Sequence, residues 1–234
     1  MLILLLACFV QPDPAMRGRI LDGPDAAASA IENGTVRIRE QFGEEFATTT
    51  SSIDGDFEVT IPANQMFFME VSGDGFIPTT FTGLAGTEDL EVADGELWAR
   101  SAEDLSQLAE TFSECPDAMD EGAVVEGEVR LYLGTSNDYE ELPIVTTATV
   151  SAIDAEGLTW DACYLDDDGA STSKASATGE TGRFALFGLP AGFTTIEIQY
   201  DYGGTSDEVV AHYFYLPEEG TAPMYPALTL LPGT

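Results

Sequence analysis

Apolar and polar residues alternate with a period of two through most of this chain, the pattern of strands that bury one face. The clearest case is the stretch Ile53 to Ala63. Asp54-Gly55 supplies turn chemistry. Phe57, Val59 and Ile61 then share one face and Glu58 and Thr60 the other, and Pro62 ends the run because it cannot donate to a ladder. The device returns between Glu180 and Gly192. Gly182 stands where Gly55 does, Phe184 where Phe57 does, and Pro190-Ala191 where Pro62-Ala63 does, with one residue inserted. A turn–strand–proline unit used twice predicts one small β-domain used twice.

The remaining alternation predicts about seven short strands in each unit, with turns at regular spacing, which is the signature of a β-sandwich. In the first unit, 18–93, strands are expected at Arg19–Leu21, Thr35–Arg39, Glu45–Thr50, in the stretch above, and at Met66–Ser72, Phe76–Phe81 and Glu88–Ala93. Val36, Ile38, Phe67, Met69, Val71, Leu90 and Val92 are expected to face inward. In the second unit, 123–232, Val129, Leu131 and Leu133 alternate inward, and Tyr200 and Tyr202 fall on the face of Ile196 and Ile198. The connection, 94–122, carries one predicted helix over 101–112. Ser101 caps it, Glu103 and Asp104 lie in its first turn, and Leu105, Leu108, Ala109 and Phe112 form a narrow apolar stripe. Four apolar residues suit docking onto a sandwich better than recruiting a partner. The acidic run from Glu114 to Glu121 reads as a solvated linker. The fold class is therefore all-β, two tandem sandwiches joined by one short helix.

Charge narrows the partners. The 42 acidic residues against 8 basic ones give a formal net charge of −34. A nucleic acid or a bare anionic membrane surface is repelled by such a chain. Lys174 is the only lysine and His212 the only histidine, and no Cys-x-x-Cys occurs, so a His/Cys zinc site has no ligands.

The N-terminal run Leu5-Leu6-Ala7-Cys8 resembles the lipobox of bacterial lipoproteins. The resemblance implies that 1–7 is a signal segment, that Cys8 is lipidated, and that 8–17 is a tether, for which Gln11-Pro-Asp-Pro14 has extended, polar character. The apolar run is too short to span a bilayer, so acyl chains would be the anchor. The family's pattern also has a basic residue before the apolar run, which is absent here. With Cys8 assigned to lipid, Cys115 and Cys163 are the natural disulfide pair, which requires an oxidising compartment. The implied address is the cell envelope, at the outer membrane or cell surface.

A second resemblance covers more of the chain. Gly18-Arg-Ile-Leu-Asp-Gly23, Asp54-Gly-Asp-Phe57, Pro62 and Val71-Ser-Gly-Asp-Gly-Phe76 are similar to the carboxypeptidase regulatory-like domain, and the pattern returns between Glu126 and Tyr200 with a long insertion. That family implies a transthyretin-like (prealbumin-like) sandwich and a non-catalytic structural or binding role. It brings no catalytic residues.

Candidate sites are sparse. Asp166-Asp167-Asp168-Gly169 offers oxygen ligands for calcium. It is not an EF-hand, since Tyr164 and Ala175 stand where that loop needs acids, and in so acidic a chain a solvated acidic loop is the favoured reading. Asp154 and Asp161 are possible additions, and Asp54, Asp56 and Asp74 have the same character. Trp160, Tyr164, Tyr200, Tyr202, Tyr213 and Tyr215 are the aromatics available for a glycan platform, although alternation assigns Tyr200 and Tyr202 to the core. His212 shares a face with Val210, Phe214 and Leu216 and has no nucleophile beside it in sequence, so no triad is suggested. The expected function is non-catalytic: an envelope lipoprotein with a structural or binding role, or else a surface receptor or adhesin for glycan, protein or calcium.

Overall fold

A computed structural model describes residues 12–115, 121–132, 142–172, 175–202 and 205–230. Cys8, Leu133 and Lys174 lie outside the described residues, as does 116–120 of the acidic linker. The molecule is all-β. In its first sandwich, β1 (Ala15–Arg19) lies between β4 (Asp56–Thr60) and β7 (Leu90–Glu91). This sheet faces one made of β2 (Thr35–Glu40), β3 (Glu45–Thr50), β5 (Met66–Gly73) and β6 (Phe76–Leu84), with β8 (Arg100–Ser101) paired to the start of β6. Phe57, Val59, Ile61, Val36, Ile38, Phe67, Met69 and Val71 fill the space between them, as alternation requires. Gly55 sits at φ +80° and Gly182 at φ +66°, the left-handed conformation that both copies of the turn demand.

After α1 (Ala102–Thr111), the second sandwich packs β10 (Thr149–Asp154), β11 (Thr159–Asp161), β15 (Gly192–Tyr202) and β16 (Thr205–Leu216) over β9 (Ala123–Tyr132), β12 (Cys163–Leu165), β13 (Ser171–Thr172), β14 (Arg183–Leu189) and β17 (Thr221–Leu230). Val129, Leu131, Ile196, Ile198 and Tyr200 all lie in its core. Tyr164 is buried there too, and its hydroxyl both accepts from Val150 N–H and donates to Val150 C=O. Burial pushes its pKa up to about 12.

Two boundaries and the facing of one residue differ from those expected. The chain joins the fold well before residue 18: Asp13 accepts a hydrogen bond from Ala63 N–H, Pro14 C=O accepts from Ile61 N–H, and β1 begins at Ala15. The strand was hidden because one inward position is Gly18, where a side chain would press on Val92 and Phe57, while Arg17 and Arg19 point out to acids. The connection also begins later than 94, since Leu97, Trp98 and Ala99 are buried and Leu97 and Ala99 hydrogen-bond to Leu21. Leu90 does not face inward; it is 37% exposed on the two-residue β7, at the edge of its sheet. The helix is where the stripe placed it. Ser101 and Asp104 form a reciprocal capping box, and Leu108 and Phe112 pack on Val124, Leu165, Ala185 and Phe187 of the second sandwich.

The alternation does not show how the sandwiches meet. Strand β17 runs parallel to β9, and Thr221 at its start also pairs with Thr79 of β6. One ten-stranded sheet therefore passes through both sandwiches.

Candidate functional site

The sandwich junction gathers the chain's unusual side chains. On β5, Phe68 and Glu70 alternate with the core residues and should be solvated, yet both are buried. Phe68 meets Phe193 edge-on at 6.1 Å and Tyr215 at 6.2 Å, so the outer face of the β15–β16 hairpin covers it. Thr82 on β6 donates its hydroxyl to the Tyr213 carbonyl across the same seam. Arg39 lies over the Tyr215 ring at 5.0 Å, within 3.8 Å of Glu70, and donates to Gly43 C=O at the tip of the β2–β3 hairpin. Gly43, at φ +87°, lies flat on the Tyr215 ring, where any Cβ would collide.

Two hollows open at this junction. One is a charged cleft of about 510 Å³ between the first sandwich, α1 and the second sandwich, lined by Trp98, Arg100, Asp104, Gln107, Glu126 and Arg183 among others. Glu126 on β9 is 2% exposed and is paired with Arg100, with Arg183 at 4.0 Å. Arg100 covers the Trp98 ring at 5.0 Å, and Arg183 lies over Phe112 at 6.0 Å. A carboxylate removed from water needs such partners, so this cleft is a polar lock between the sandwiches. The other hollow is a shallow dish of about 370 Å³, lined by Gln41, Phe42, Met66, Phe193 and Tyr213. Phe193 and Tyr213 stack at 5.9 Å with a 26° tilt, and Phe42 is 81% exposed. Leu84, 79% exposed, pairs with Met66 across β5 and β6.

The expected site residues fall elsewhere. Asp166 accepts from the N–H groups of Asp168 and Ala170, and Asp167 accepts from Glu180 N–H. Asp154 likewise accepts from Glu156 and Leu158. These acids hold turns, and among the described residues no group of three or more His, Cys, Asp or Glu side chains is placed to hold a metal ion. Of the aromatic candidates, Tyr164 and Tyr200 are core, Trp160 packs partly against the core, and Tyr215 lies under Arg39. Tyr213 is 40% exposed and lines the dish. The sequence reading missed Phe42, Phe68 and Phe193. The only signal was Phe42 at a hairpin tip, where an apolar residue is out of place. Cys115 and Cys163 are joined in a disulfide, with Cα atoms 5.9 Å apart, tying the end of α1 to β12. No described helix is long and apolar enough to cross a membrane.

No protein-family model and no curated protein matches the chain. Among solved structures, it is similar to the Bacillus anthracis TIE protein at 10% identity and a TM-score of 0.32, over 94% of this chain but only 33% of that one. It is also similar to the shaft pilin SpaA of Lactobacillus rhamnosus GG, at 10% identity and a TM-score of 0.30 over 95% and 99% of the two chains. The minor pilin GBS52 of Streptococcus agalactiae gives 8%, 0.32, 94% and 97%. At these scores the likenesses carry no argument about function.

Proposed function

We propose that this chain is a non-catalytic, envelope-anchored scaffold: an exported lipoprotein, held by acyl chains on Cys8, whose two carboxypeptidase regulatory-like sandwiches act as one stiff unit. The observation that carries the reading is the weld between them. A shared sheet through β6, β17 and β9, the Phe68 aromatic seam and the buried Arg100–Glu126 pair join the two cores at three separate places. A chain built to hold a fixed distance and orientation needs such a joint, whereas flexibly linked modules do not. The Cys115–Cys163 disulfide supports export, because such bonds persist in oxidising compartments. The dish favours a second, compatible role in binding a partner.

Labelled palmitate incorporation, compared between the natural chain and Cys8→Ala, tests the anchor. Cys8-dependent labelling with recovery in the membrane fraction is expected. An unlabelled, fully soluble chain would remove the lipoprotein reading and leave only the welded sandwiches.

A further inference from the structure

We infer that the dish formed by Phe42, Met66, Phe193 and Tyr213 docks a polypeptide segment carrying an apolar side chain flanked by lysine or arginine. The inference goes beyond the envelope reading and stands whether or not Cys8 is acylated.

The dish is built rather than incidental. The hairpin tip that carries Phe42 is fixed from behind: Gly43 lies against Tyr215, and Arg39 holds the Gly43 carbonyl while covering the same ring. The tip cannot fold Phe42 back without losing these contacts, so its ring is held out beside the Phe193–Tyr213 stack. Exposed aromatics on a fixed backbone are the residues that anchor partners, because few torsions are frozen on binding.

Charge decides the occupant. The tip is bracketed by Glu40 and Glu44, and the chain as a whole stands at −34. Each arginine, from Arg17, Arg19, Arg37 and Arg39 to Arg100, Arg130 and Arg183, is already paired with a carboxylate. The field of the whole chain therefore steers cationic partners in and turns anionic ones away. The fold supplies its own precedent. Arg39 on Tyr215 with Glu70, Arg100 on Trp98 with Glu126, and Arg183 on Phe112 with Glu126 each set a guanidinium between an aromatic face and a carboxylate. Among the described residues, the dish has the rings but no cation over Phe42, Phe193 or Tyr213. A partner's lysine or arginine, drawn by the chain's net charge, supplies the missing cation over these rings, and its apolar neighbour fills the floor over Met66.

The test uses the full chain carrying Cys8→Ser and a labelled eight-residue peptide with Trp-Leu between lysine pairs, read by fluorescence anisotropy. Saturable binding is expected, weakening as salt rises. Phe42→Ser should weaken it about tenfold, as loss of a central anchor does. Glu40→Gln with Glu44→Gln should weaken it and flatten the salt dependence. A control peptide with serines for Trp-Leu that binds equally well would reduce the effect to general charge attraction and overturn the proposal. So would unchanged affinity in Phe42→Ser, whose exposed ring is not needed for folding. Phe42-dependent binding of neutral oligosaccharides such as cellohexaose or chitohexaose, with no peptide binding, would overturn it in favour of a sugar platform.

Discussion

Tyr164 and Glu126 show how much single polar groups hold in this molecule. The Tyr164 hydroxyl serves both backbone groups of Val150 inside the second core. Tyr164→Phe should cost about 1–3 kcal/mol in urea unfolding, because Val150 N–H is left buried without an acceptor. The pH dependence has a definite sign. Burial raises the folded-state pKa to about 12, so the neutral phenol is the form that folding favours. Its contribution is complete below the unfolded value near 10 and is lost as pH rises from there through about 12. Wild type should thus lose stability over that window relative to Tyr164→Phe, followed by denaturant midpoints and tyrosinate absorbance. Asp89, which accepts from Ala15 N–H and from Arg17, is held below the usual carboxylate range and acts in the opposite sense: its small contribution at β1 is present above the unfolded carboxylate value and is lost as pH falls through the lowered one. At Glu126, Arg100→Met removes one of the two arginines beside a buried carboxylate, leaving Arg183 at 4.0 Å, and should cost up to about 3–5 kcal/mol, whereas replacing Arg100 and Glu126 together by apolar residues should cost less.

At the scale of elements, α1 is the piece whose role the pattern predicts best. Its stripe has only four apolar residues, yet Phe112 is fully buried and meets Phe187 at 6.0 Å. Phe112→Ala should destabilise the fold by about 3–5 kcal/mol. The disulfide that follows closes a sequence separation of 48. Reduction should lower stability by roughly 4 kcal/mol in the chain-entropy treatment, read as a shift of the denaturation midpoint with reductant. Covering by α1 also explains why β9 breaks its own alternation. Ala123 to Gly127 are all buried, because Val124 and its neighbours face the helix and the cleft rather than water.

For the whole molecule, the weld predicts cooperativity. The natural chain should melt in one calorimetric transition, and Phe68→Asp should split it in two by placing a charge in the aromatic seam. A single transition in that variant would show that the shared sheet and the Arg100–Glu126 pair couple the sandwiches without the seam. Net charge of −34 acts on the same scale: self-repulsion is screened by salt, so the melting temperature should rise between low and molar sodium chloride.

The sequence by itself determined the class, the repeat, the helix and most of the two cores. Each of these rests on local periodicity: Phe57-Val59-Ile61 has a period of two, and Leu105-Leu108-Ala109-Phe112 a period near 3.6. A strand with a glycine in place of an inward side chain, such as β1, escaped that reading. The weld and the dish could not be read at all. Phe68, Phe193 and Phe42 lie far apart along the chain, and nothing local distinguishes a covered outer face from a wet one. Only the path of β17 past β6 brings the second sandwich's β15–β16 hairpin onto the first, burying Phe68 while leaving Phe42 and Tyr213 in the open.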